Sequence, residues 1–135
     1  MTLVDPQTAD TDTDTPPSGW VRVCAVDDLE VERGRAALLG GIQIALFLLH
    51  GADGRPGRIH AVSNFDPYSR AHVISRGIVG TRQDAPTVAS PMYKQVFDLR
   101  TGTCLDAQGK EPMSLQVWPV TVSDGDVLVR WEAAS

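Results

Sequence analysis

Val88-Ala-Ser-Pro-Met-Tyr-Lys-Gln-Val-Phe-Asp-Leu-Arg-Thr-Gly102 is the stretch whose reading decides the fold. Proline at 91 lacks a backbone donor and disfavours helix in the residue ahead of it, so Ser90-Pro91 ends the preceding element. Val96, Phe97 and Leu99 suit a strand, and Thr101-Gly102 supplies the turn that closes it. The segment therefore reads as loop, strand, tight turn.

The same pattern continues on both sides. Trp20 to Val26 alternates as a strand does, and Asp27 to Gly34 is a polar connection. Ala36 to Leu39 and Ile42 to Leu49 are apolar runs split by Gly40-Gly41. A helix through that pair would lose about 1 kcal/mol per glycine, whereas Gly-Gly suits a hairpin, so two strands are expected. His50 to Gly57 is turn material, Arg58 to Ser63 a short strand, and Asn64 to Asp84 a long loop; connections of that length are usually functional. Arg82 to Thr87 leads into the opening stretch. After Gly102, Cys104-Leu105 starts a return, Ala107 to Lys110 turns, and Leu115 to Val122 forms a strand containing Pro119. Asp124-Gly125 is a hairpin turn before Val127 to Glu132. Many short strands joined by Gly- and Asp-rich turns predict an all-β antiparallel sandwich.

The 135 residues suffice for one domain with its own core. Residues 1–19 carry four aspartates and no basic residue, and are expected to be a disordered acidic tail, with the folded domain over 20–135. Such a tail can serve as a docking arm, but a solvated terminus is the simpler expectation. Net charge is −5, which argues against nucleic acid as a partner. Residues 66–102 nevertheless carry +2, and the remainder −7. Cys24 and Cys104 form no CxxC and are expected as small buried hydrophobes rather than a disulfide. No secretory signal is visible, and Ile42 to Leu49 is too short to span a bilayer, so a cytoplasmic, membrane-free protein is expected.

Two boxes carry a family resemblance. Ser90-Pro91-Met92-Tyr93 followed by Phe97-Asp-Leu-Arg-Thr-Gly102 resembles the second ligand box of Rieske iron–sulfur proteins, Cys-Pro-x-His followed by Phe-Asp-Leu-x-Thr-Gly. Asn64-Phe-Asp-Pro-Tyr68 resembles the first, with Asp66 at the cysteine position and Tyr68 at the histidine position. Ser90 and Tyr93 stand at the ligand positions of the second box. The resemblance covers roughly Trp20 to Trp131 and implies a Rieske-like antiparallel β-sandwich with two long loops. A Rieske centre needs two thiolates and two imidazoles. Asp66, Tyr68, Ser90 and Tyr93 offer only hard oxygens, poorly matched to a sulfide-bridged cluster. Tyrosine and serine are also neutral near pH 7, whereas metal ligands must be deprotonated. No iron–sulfur cluster is expected; both tyrosines are expected to pack the loops together, their hydroxyls hydrogen-bonded.

The replacement pattern narrows the family. Asn64, Asp66, Pro67, Ser69, Ala71, His72, Val73, Ser75, Arg76, Gly77 and Gly80, followed by Val88 to Gly102, resemble the small subunit of assimilatory NAD(P)H-dependent nitrite reductase. That resemblance implies a partner large subunit bearing FAD, an iron–sulfur cluster and sirohaem, where nitrite is reduced to ammonia. It implies no cofactor in this chain. A free-standing protein-interaction module of the same fold is the alternative.

His50, His60 and His72 share no metal-ligand spacing, and no Ser/His/Asp order, GxGxxG or P-loop occurs. The chain reads as catalytically empty. Arg70, Arg76, Lys94 and Arg100 surround the expected loop tip and suit a docking surface. The competing role for such residues is to bridge the loops through Asp66 and Asp98.

Overall fold

A computed structural model describes residues 19–51 and 56–130. Apart from Gly19, the expected acidic tail lies outside the described residues. So do residues 52–55 of the turn expected over His50 to Gly57, and residues 131–135, including Glu132 of the expected last strand.

Thirteen strands are found among the described residues, with no α-helix. β1 (Trp20–Ala25), β13 (Asp126–Arg130) and β12 (Val120–Ser123) form one antiparallel sheet in that order. β11 (Val117–Trp118), β4 (Pro56–Ser63), β3 (Ile42–His50) and β2 (Gly34–Leu39) form a second. β10 (Cys104–Asp106), β9 (Val96–Asp98), β8 (Ala85–Ala89) and β7 (Ile78–Arg82) form a third. A two-stranded hairpin, β5 (Phe65–Asp66) with β6 (Ala71–His72), completes the set.

The second sheet lies in the middle, and β3 explains why. Its stretch from Ile44 to Leu48 is apolar and buried without alternation, as expected of a strand covered on both faces. Ile44, Leu46 and Leu48 enter one core with Cys24, Leu39, Trp118, Val127 and Val129. Ala45 and Phe47 enter a second core with Val62, Ile74, Val88, Phe97, Leu99 and Leu115. Each large apolar side chain so buried contributes about 1.5–3 kcal/mol. The first core joins the middle sheet to the terminal strands, and the second joins it to the sheet that carries the loops.

Both expected two-residue hairpins are present. Gly40 and Gly41 have φ of 56° and 84°, and Asp124 and Gly125 have 52° and 80°, the left-handed values such a turn requires. Two expectations change. Asn64 to Asp84 is not one loop, because Ile78–Arg82 pairs with Ala85–Ala89 and only the part before Gly77 crosses the surface. Ile78 is 74% exposed on this edge strand, so burial gave its sequence little strand signature. The strand expected from Leu115 to Val122 divides at Pro119. Val117–Trp118 pairs with β4, while Val120–Ser123 pairs with β13 in another sheet. Proline cannot donate to a ladder, which makes it a natural place for a strand to change sheets.

Cys24 and Cys104 are both unbridged. Cys24 is buried in the first core, where burial pushes its thiol up; Cys104 is half-buried against the second.

Candidate functional site

The two boxes fold into a matched pair of loops beside the second core. Asp66-Pro-Tyr-Ser-Arg70 is closed by the Arg70 amide donating to the Asp66 carbonyl (2.7 Å). Ser90-Pro-Met-Tyr-Lys94 is closed in the same way, Lys94 to Ser90 (3.1 Å). In each, the first side chain accepts the amide two residues on: Tyr68 N–H to Asp66 Oδ1 (2.9 Å) and Met92 N–H to Ser90 Oγ (3.2 Å). Arg70 and Lys94, the fifth residues, adopt matching left-handed backbone, φ 63° and 65°. Asp and Ser favour such local side-chain-to-backbone turns, and proline after them fixes the next φ.

Asp66 and Ser90 meet between the loops. The Ser90 hydroxyl donates to Asp66 Oδ2 at 2.5 Å, and both residues are buried, at 0% and 1% exposure. The two positions that the motif resemblance aligns with cysteines are thus joined directly.

Tyr68 binds differently. Its hydroxyl accepts the Met113 amide and donates to the Glu111 carbonyl, both at 2.7 Å, and so pins residues 111–113 over the first loop. Its ring centroid lies 6.2 Å from that of Phe97. Burial, followed by the nearby Cys104 sulfur, pushes its phenol up. Tyr93 departs from the expectation. It does not pack the loops together but stands 53% exposed at the tip, with Met92 (50%) and Met113 (40%) also exposed. Tyr68, Tyr93, Lys110, Glu111 and Met113 line a shallow cleft there. The second box places its tyrosine one residue further along its loop than the first, which turns it away from the interior.

These residues do not fit a [2Fe–2S] cluster. The oxygens of Asp66 and Ser90 are taken up by each other and by the Tyr68 and Met92 amides, the Tyr68 hydroxyl is committed to backbone, and all four donors are oxygen where the cluster needs sulfur and nitrogen. Among the described residues no three His, Cys, Asp or Glu side chains group as a metal site. His50 lies 3.7 Å from Glu32, His60 is half-buried, and His72 is exposed with its ring 5.3 Å from that of Phe65.

The four basic candidates separate. Arg70, Arg76 and Lys94 are exposed and make no ion pair among the described residues. Arg100 is held by Asp98, Nε donating at 3.2 Å and Nη2 at 3.0 Å, while its backbone amide also binds that carboxylate at 2.7 Å. The guanidinium beside Asp98 holds its carboxyl below the usual range. Among the described residues Asp66 bridges to no arginine.

Two further residues emerge from the structure. Asn64 braces the first loop: its amide donates to Gln43 Oε1 (3.1 Å) and the His72 carbonyl (3.3 Å), and its oxygen accepts Ser75 N–H (2.7 Å). Its place just before the first box was the signal. Gln95, between Lys94 and the apolar pair Val96-Phe97, gave none. It is fully buried, its carbonyl accepts Ser90 N–H (2.9 Å), and its side-chain amide has no partner among the described residues. An unpaired buried polar group costs about 1–3 kcal/mol, so Gln95→Met is expected to raise stability by about 1 kcal/mol in urea unfolding. A loss of stability would contradict the unpaired state.

Comparison with known proteins agrees with this architecture. Residues 19–130 match the profile of the Rieske-like [2Fe-2S] domain. The Escherichia coli K12 protein named nitrite reductase (NADH) small subunit is 37% identical over 113 residues, covering 84% of this chain and 98% of that one. A Mycobacterium tuberculosis crystal structure, assigned as an NADH-dependent nitrite reductase small subunit, superposes with a TM-score of 0.73 at 44% identity. It covers 85% of this chain and 96% of the other. A nitrite reductase [NAD(P)H] large subunit from Klebsiella oxytoca contains a stretch 37% identical over 114 residues, which is 84% of this chain but 11% of that protein.

Proposed function

We propose a docking role for this chain, which belongs to the Rieske-like [2Fe-2S] domain family and, within it, to the small subunits of NADH nitrite reductase. It is a non-catalytic subunit that binds a large subunit carrying FAD, an iron–sulfur cluster and sirohaem, where nitrite becomes ammonia in nitrate assimilation. The observation that carries this reading is the Klebsiella oxytoca relative, in which a similar domain forms part of a large subunit's own chain. A domain found both fused and separate is expected to occupy the same place in the assembly.

The paired loops supply the contact. Met92, Tyr93 and Met113 give an apolar centre, and Arg70 and Lys94 stand at equivalent positions of the two loops, with Arg76 following the first. An aromatic and methionine centre rimmed by cations suits a protein interface with an acidic counterpart. Arg100, committed to Asp98, falls outside this surface. The chain carries no cofactor of its own. The Ser90–Asp66 hydrogen bond holds the loops where a cluster would otherwise link them, so the surface is preorganised without metal. Among the described residues no helix is long and apolar enough to cross a membrane.

Reversing Arg70 and Lys94 together to glutamate sets like charge against an acidic partner. Affinity for the large subunit is expected to fall about tenfold or more, and more steeply at low salt. An unchanged Kd for a folded double variant would overturn the docking surface.

A further inference from the structure

Where β4 of the middle sheet meets the turn after β9, a second basic feature lies away from the paired tip. Two adjoining hollows share three residues, Arg58, His60 and Arg100. Ile59 and Trp118 wall one hollow, and Leu49 the other. Arg58 makes no ion pair among the described residues. Asp98 occupies only the Nε/Nη2 edge of Arg100. A guanidinium has five N–H donors, so its Nη1/Nη2 edge keeps a second fork for another oxyanion. Asp98 is buried at 6% exposure and its Oδ1 also takes the Arg100 backbone amide, so it positions the guanidinium while offering little surface of its own.

We propose that these hollows form an oxyanion site, in which Arg58 and the free edge of Arg100 bind a phosphate or carboxylate group and His60 lies beside it. The local charge is positive in a chain of net charge −5. Burial first, and then the Arg58 charge, hold the His60 imidazole below the usual range. The groups facing it are Arg58 on its own strand, Asp98 and Arg100 from β9 and the turn after it, and His50 with Glu32 at the end of β3. A bound oxyanion offsets the cations and makes protonation of His60 easier, so binding and protonation reinforce one another.

The test is an NMR titration of the whole chain with inorganic phosphate, against sodium chloride at matched ionic strength. The expected result is saturable shifts at Arg58, His60 and Arg100 and a higher apparent His60 pKa with phosphate present. Arg58→Gln should weaken phosphate at least tenfold. Arg100→Lys, which keeps the charge beside Asp98 but loses the second fork, should also weaken it. Non-saturable shifts that follow ionic strength alone, or the same affinity in both variants, would overturn the site. A parallel titration with N-acetyl-aspartate separates the sources: saturation by both anions supports a site open to a peptide carboxylate, and saturation by phosphate alone supports one for a phosphoryl group.

Discussion

Gly102→Ala is expected to be the most damaging single-methyl change in this chain. Gly102 has φ +78°, a left-handed backbone that costs an ordinary residue about 1–2 kcal/mol. The added Cβ would also sit on the Leu115 carbonyl group, which is backbone and cannot swing aside. Overpacking of that kind adds about 1–3 kcal/mol. Gly102 is tied at both ends, its amide donating to the Asp98 carbonyl (2.7 Å) and its carbonyl accepting Leu115 N–H (2.8 Å). Relief of the clash must therefore displace the 103–115 segment, which includes Glu111 and Met113, the partners of Tyr68. A loss of about 2–5 kcal/mol is a large share of the 5–15 kcal/mol typical of a whole domain. Thermal unfolding should shift down by roughly 10 °C or more. A melting temperature within about 2 °C of the parent would show that the turn is not constrained as described.

Ser90→Ala is the second large effect. It leaves Asp66 Oδ2, fully buried, without its donor, and an orphaned buried acceptor costs about 1–3 kcal/mol. It also takes the acceptor from the Met92 amide, and Asp66→Ala likewise orphans two groups, the Tyr68 amide and the Ser90 hydroxyl. The two changes act on one hydrogen bond, so the double variant should be less destabilised than the sum of the singles, with a coupling of about 1 kcal/mol or more. Additivity within about 0.3 kcal/mol would show that the loops are not stapled through this pair. Affinity for the large subunit should fall in the same variants, because the loops that present Arg70, Met92, Tyr93 and Lys94 hang from these two residues.

Most of the fold was legible in the sequence because it rests on local chemistry. Gly40-Gly41 and Asp124-Gly125 demanded left-handed turns, and the structure has both. The apolar run after Gly40-Gly41 was read as a strand, and only the structure shows that it separates two cores. Ile78–Arg82 was missed because an exposed edge strand needs no apolar alternation, and Pro119 was read inside a strand where it divides two. The site was legible in part. The positions of Asp66, Ser90, Tyr68 and Tyr93 came from the spacing of two motifs. Their fates depended on contacts distant in sequence: Asp66 with Ser90 across 24 residues, Tyr68 with Met113 across 45, and Tyr93 with solvent. The pairing of Arg100 with Asp98 was one of two readings open from sequence, and no local pattern could place Arg58 beside it.

The proposed role makes this chain the docking subunit of a nitrite reductase, its paired loops held together without metal. The most direct measurement is affinity capture of the whole chain from extract of its native cells during growth on nitrite, read by absorbance and NAD(P)H-dependent nitrite consumption. The account predicts a large co-purifying protein with flavin and sirohaem bands and nitrite-consuming activity. A folded chain captured alone, colourless and inactive, would contradict it.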